Sequence, residues 1–191
     1  VEKHPPLIWL DMEMTGLDPE RDHVLEIATL VTDGDLEVLA EGPDLVIHQP
    51  DAVLDAMNPW CIEHHGDSGL TQACRESTID LAAAERATLD FLREHCEAGA
   101  SPLCGNSIGQ DRRFIVRHMP ALAAFLHYRS VDVTALKELA RRWYPALPAF
   151  PKAESHRALD DILESIGELR YYREQIFRRG QPSAPEPITG A

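Results

Sequence analysis

An apolar run, Leu7-Ile8-Trp9-Leu10, delivers carboxylates at alternate positions, Asp11 and Glu13, and stops at Thr15-Gly16. In a strand, residues i and i+2 project from one face, so Asp11 and Glu13 stand together. Two carboxylates held side by side at the end of a buried strand repel each other unless a cation lies between them. Oxygen-only donors favour hard ions such as Mg²⁺ or Mn²⁺. A metal-dependent enzyme is therefore the first hypothesis, and the fold must bring further ligands to the strand's end. Spacing alone carries little weight. Asp35-Leu36-Glu37 repeats it after the turn-forming Asp33-Gly34, where solvent is the expected neighbour.

Charge narrows the substrate. The 18 basic and 32 acidic residues give a net charge of −14, so a broad basic surface for long nucleic acid is excluded. A nucleic-acid substrate would have to be short, or held by a few local groups and bound metal. No apolar run approaches the roughly 20 residues of a membrane span, and no signal-like N-terminus appears. The expectation is a cytoplasmic protein with no membrane partner. Cys61, Cys74, Cys96 and Cys104 lack zinc-site spacing and read as reduced, mostly buried thiols.

Periodicity gives an α/β order. Strands are expected at 7–11, at 24–32, and from 36–40 onward to 45–48, with Asp33-Gly34-Asp35 as a hairpin turn. A helix follows Ser77-Thr78, with Leu81, Ala84, Leu89, Leu92 and Cys96 on one stripe. A short strand at 102–104 ends at Gly105-Asn106, and a helix runs from about Gln110 to before Pro120. His127 to Val131 reads as a fifth strand. Asp132 or Thr134 opens the next helix, and the last begins near His156. The sum is βββαβαβα, a mixed five-stranded sheet flanked by helices within a single domain at 1–179. Residues 180–191, rich in Pro, Ser and Ala, are expected to form a disordered tail.

Strand ends and adjacent helix starts are where chemistry gathers in such sheets. Asp111 falls in the first helical turn after the glycine-punctuated loop 105–110, where a dipole-stabilising carboxylate is equally natural. Ser155-His156-Arg157-Ala158-Leu159-Asp160-Asp161 opens another helix, pairing a candidate base with a candidate ligand. The spacing leaves Asp160 and Asp161 equivalent. Trp60 reads as packing or as pocket lining. His64 and His65, adjacent on one helix, face different directions and carry no joint metal role.

Taken in order, Trp9 to Leu17, Gly105 to Phe114, His127-Tyr128-Arg129 and Ser155 to Ile162 resemble the blocks of the oligoribonuclease family. That family lies among the DEDDh exonucleases, which have a ribonuclease H-like fold. The resemblance spans residues 7 to about 178 and selects Asp161 over Asp160. It implies two divalent cations per active site, Mg²⁺ or Mn²⁺, held by Asp11, Glu13, Asp111 and Asp161, with His156 as general base. It implies a homodimer in which Tyr128 of the partner subunit closes over a base, while Leu17 wedges between bases and Trp60 lines the pocket. Ser107, Arg129 and Thr134 would cap a 5′-phosphate, restricting the substrate to very short oligoribonucleotides, dinucleotides above all. Such a substrate needs only a local positive site, in keeping with the net charge of −14.

Ser130, Ala135 and the weakly basic 151–154 loop depart from the pattern, and Ala135 removes one hydroxyl from the expected cap. A related exonuclease acting on longer DNA or tRNA ends would call for an added basic patch. A catalytically silent binding protein on the same fold is disfavoured by five intact positions.

Overall fold

The structure is a computed structural model and describes residues 4–151 and 157–177. His156 and the expected tail at 180–191 lie outside the described residues. β1 (Leu7–Met14), β2 (Val24–Thr32) and β3 (Val38–Val46) pair antiparallel in sequence. On the other side of β1, β4 (Leu103–Gly105) and β5 (Ser130–Asp132) add in parallel, giving the order β3-β2-β1-β4-β5. The α/β class and the five-stranded mixed sheet are as the periodicity implies.

Alternation along β1 divides the core between the two faces of the sheet. Ile8, Leu10, Met12 and Met14 pack with Ile27 and Val31 against α4 (Leu81–His95) and α5 (Gly109–His118). Trp9 points the other way, with Ala28 and Leu30, into α7 (Val133–Trp143) and α8 (Ala158–Gln175). On α8, Ile162 and Ile166 are buried, each contributing about 1.5–3 kcal/mol through removal of apolar surface from water. Asp11 and Glu13, in step with Trp9, therefore face α8.

Several boundaries differ from the expectation. β1 continues to Met14 because its ladder with β2 runs on to the Met14–Val24 pair. β3 is one strand, not two pieces, and Leu36 sits before it in the turn with φ 70°. Three short helices, α1 (Asp51–Leu54), α2 (Pro59–Asp67) and α3 (Leu70–Glu76), fill a stretch with no long periodic stripe. Leu54, Met57, Cys61, Leu70 and Cys74 give them a small core of their own with Leu25. α4 is capped by Asp80, whose side chain accepts from the Ala83 N–H at 2.6 Å. Ser77 is drawn away, donating to the Val46 carbonyl at 2.6 Å. A further short helix, α6 (Pro120–Phe125), follows α5.

The fifth strand is a correction. β5 begins at Ser130, so His127, Tyr128 and Arg129 precede the strand. Arg112 holds them there, donating to the carbonyls of His127 (2.9 Å) and Arg129 (3.1 Å). All four cysteines are buried free thiols. Among the described residues, no helix is long and apolar enough to cross a membrane.

Candidate active site

The side of β1 that faces α8 carries Asp11 and Glu13, and α8 brings Asp161 to meet them. Carboxylate oxygens of Asp11, Glu13 and Asp161 lie within 4.8 Å of one another. Asp160 is exposed and outside this group. Asp111, 5% exposed in the first turn of α5, flanks the cluster from the β4 side. Its Oδ1 accepts from the Met12 N–H at 3.0 Å, which ties α5 to β1 between the two strand carboxylates.

Electrostatically the cluster is unfavourable as it stands. Burial, then repulsion from Asp111, Glu13 and Asp161, holds the Asp11 carboxyl well above the usual carboxylate range. Burial first, with Asp161 and Glu26 adding, pushes Glu13 up to about 8, and Arg157 partly offsets this. Asp111 rises to about 7 by burial, against the pull of two backbone N–H groups. An oxygen-only set of this kind fits a hard divalent cation, whose charge would return these groups to the ionised form.

Glu26 is what sets Asp161 in place. It faces Glu13 across the ladder and is fully buried. The Arg157 Nε donates to both its oxygens, at 2.9 and 3.2 Å, and the Ala158 N–H donates to Oε2 at 3.1 Å. The first turn of α8 has no side-chain cap of its own from Arg157. A carboxylate from the sheet supplies it instead, satisfying a helix-terminal N–H and placing negative charge at the positive end of the helix. Asp161 lies in that same first turn. Nothing in the sequence reading singled out Glu26, although a lone charge in the otherwise uncharged strand 24–32 was a usable signal.

A hollow of about 450 Å³ opens beside Glu13, lined by Met12, Met14, Leu17, Trp60, Cys61 and His65 among others. Leu17, 70% exposed, stands at its rim. Its turn is anchored by Asp22, which accepts from the Thr15 hydroxyl (3.1 Å) and the Asp18 N–H (2.8 Å). A side chain at Gly16 would collide with that Asp22 carboxylate. Across the hollow, Trp60 stacks on His64 with ring centroids 3.9 Å apart. His65 turns inward instead: its Nε2 donates to the Met14 carbonyl at 3.0 Å, and its Nδ1 lies 3.9 Å from Glu13. The two histidines do diverge, and His65 pins α2 to the end of β1.

Ser107 and Thr134 meet at the edge of the sheet, with their hydroxyls 3.1 Å apart. The Ser107 N–H donates to Asp132 Oδ1 (3.0 Å) and Thr134 Oγ1 (2.9 Å), holding Ser107 at φ 50°. Arg129 lies over the Tyr128 ring at 5.3 Å, and Tyr128 is 75% exposed. The described residues thus bring Asp11, Glu13 and Asp161 together, with Asp111 beside them. They place Leu17 and Trp60 around one hollow and join Ser107 to Thr134. Tyr128 and Arg129 sit together on a neighbouring exposed loop.

Residues 8–169 match the exonuclease family of RNase T. A protein named oligoribonuclease from Marinobacter nauticus is 58% identical over 173 residues, covering 90% of this chain and 96% of that protein. One of the same name from Alcanivorax borkumensis is 59% identical over 177 residues, covering 92% and 98%. Among solved structures, a zinc-bound complex of E. coli exonuclease I with single-stranded DNA superposes with a TM-score of 0.70 at 16% identity, over 91% of this chain. This chain spans 41% of that one.

Proposed function

This chain belongs to the oligoribonuclease family of exonucleases, and from that premise we propose that it trims very short oligoribonucleotides from the 3′ end, dinucleotides above all. The observation that carries the proposal is the group of three carboxylates within 4.8 Å, opening beside a largely apolar hollow with room for a nucleobase. Asp11, Glu13 and Asp161, with Asp111 beside them, would hold two divalent cations of the Mg²⁺ or Mn²⁺ kind. Bound there, the ions supply Lewis-acid stabilisation of a pentavalent phosphate and a more acidic water.

The rest of the work falls to the chain itself. His156, next to the anchored Arg157, accepts the proton of the attacking water. Leu17 and Trp60 grip the terminal base and exclude water from the hollow. Ser107, Thr134 and Arg129 hold a 5′-phosphate, Arg through charge-assisted hydrogen bonds. Tyr128, exposed and braced by Arg112 through its neighbours, acts in the site of a second copy, making the working form a homodimer in the cytoplasm. Products are a 5′-mononucleotide and a shortened chain with a free 3′-OH.

Cleavage of 5′-labelled RNAs of two to twenty nucleotides, with Mn²⁺ and with EDTA, tests the substrate. A phosphate clamp worth about 1.5–3 kcal/mol gives the dinucleotide about a 10- to 100-fold advantage in kcat/KM. Equal or better trimming of the longest strand would remove the clamp and point to a general exonuclease. Trp60→Ala tests the base grip. Stacking contributes about 1–3 kcal/mol per base, so KM should rise about 5- to 100-fold with the fold intact. An unchanged KM would return Trp60 to a packing role.

A further inference from the structure

Behind the Ser107–Thr134 pair runs a line of hydrogen bonds that ends on a buried carboxylate, Glu168 of α8, which is 1% exposed. Three donors converge on Glu168. The Tyr172 hydroxyl reaches Oε1 at 3.2 Å, the Asn106 amide reaches Oε2 at 3.1 Å, and the Lys137 ammonium lies 3.6 Å from Oε1. The same Asn106 amide nitrogen donates to Ser165 Oγ at 2.8 Å.

These contacts fix a direction. A carboxylate offers only lone pairs, so the NH₂ end of Asn106 must face Glu168 and its carbonyl must face Thr134. The single hydroxyl proton of Thr134 then goes to Asn106 Oδ1, at 3.1 Å. That leaves the Thr134 oxygen as an acceptor, and the Ser107 N–H fills one lone pair at 2.9 Å. In the remaining contact, 3.1 Å between the two hydroxyls, Ser107 has to be the donor. Ser107 is exposed, so its proton alone can swing from Thr134 to an arriving acceptor.

We propose that Glu168, acting through Asn106, is a positioning residue that sets this polarity and thereby makes Ser107 the hydroxyl donor to the substrate's 5′-phosphate. Within the clamp, Thr134 orients Ser107. The inference rests on the phosphate-clamp reading given above and assigns the clamp's selectivity to a residue remote from the phosphate.

The test compares kcat/KM for a dinucleotide with and without its 5′-phosphate, in the native enzyme and in Glu168→Gln. A Gln in this place can donate as well as accept, so the Asn106 amide is no longer held in one orientation. The ratio is expected to fall about tenfold, the loss of one hydrogen bond to a charged group. Turnover of the 5′-hydroxyl dinucleotide should be unchanged. Asn106→Ala, which leaves Glu168 with Tyr172 and Lys137, carries the same expectation and decides the matter if Glu168→Gln does not fold. A native ratio near one overturns the clamp itself. A high native ratio kept in the variants, or an equal loss on both dinucleotides, overturns the role of Glu168.

Discussion

Asp11→Asn is expected to abolish turnover while making the metal-free protein more stable. Asp11 sits at the centre of the cluster, flanked by Glu13, Asp161 and Asp111, and burial plus their charges disfavour its ionised form. An amide of the same shape removes that repulsion. Relief of strain at a functional site of this kind contributes about 1–2 kcal/mol, a rise of about 2–8 °C in Tm. The same change would also remove one of the carboxylates proposed to hold the metal. A loss of about 4 kcal/mol of transition-state stabilisation corresponds to about a thousandfold fall in rate. Mn²⁺ separates the two effects. At about a hundred times its Kd it should stabilise the native protein by about 2.7 kcal/mol, or about 5–10 °C, and leave the variant nearly unmoved. Native-like activity in Asp11→Asn, or an equal Mn²⁺ shift in both proteins, would sink the metal-site assignment.

Arg157→Met should carry the largest cost to the fold. Removing one partner of a buried ion pair leaves the other charged and unsatisfied, typically costing about 3–5 kcal/mol. The guanidinium is 36% exposed, which reduces this to about 2–3 kcal/mol, a fall of about 4–12 °C in Tm. Activity should fall further than stability alone explains. The Glu26 clamp fixes the first turn of α8, and a displacement of about 1 Å at Asp161 can cost about a hundredfold. Glu26→Gln combined with Arg157→Met restores the charge balance and should recover part of the lost stability, though not the activity. Measured as a double-mutant cycle, additive losses in Tm would show that the pair is not coupled.

How much of this was legible in the sequence depended on range. Asp11 and Glu13 were visible because strand alternation is a two-residue rule, and Asp111 because a glycine-punctuated loop precedes a helix. Asp161 could not be told from Asp160 by spacing, since both fall in the first turn of α8. The resemblance favoured Asp161, and the fold brings Asp161 to the cluster. Helices of four to nine residues between β3 and α4 left no stripe long enough to read. The fifth strand reads as starting at His127 because His127 to Val131 has the right residues. Their backbone is taken by Arg112, a contact no local pattern announces. Glu26 and Glu168 draw no role from the sequence, and Asn106 reads only as part of the loop after a short strand, for a related reason. Each works through a partner more than fifty residues away, and only the folded chain shows which one.

The reach of the Glu26–Arg157 contact, 131 residues along the chain, also has a consequence for synthesis. A ribosome adding roughly 5–20 residues per second needs about 7–26 s to pass from one to the other. Until Arg157 emerges, the strand carboxylates have no α8 against which to assemble. A growing chain of this kind, surrounded by RNA at the place of its own manufacture, stays inert until α8 has been made.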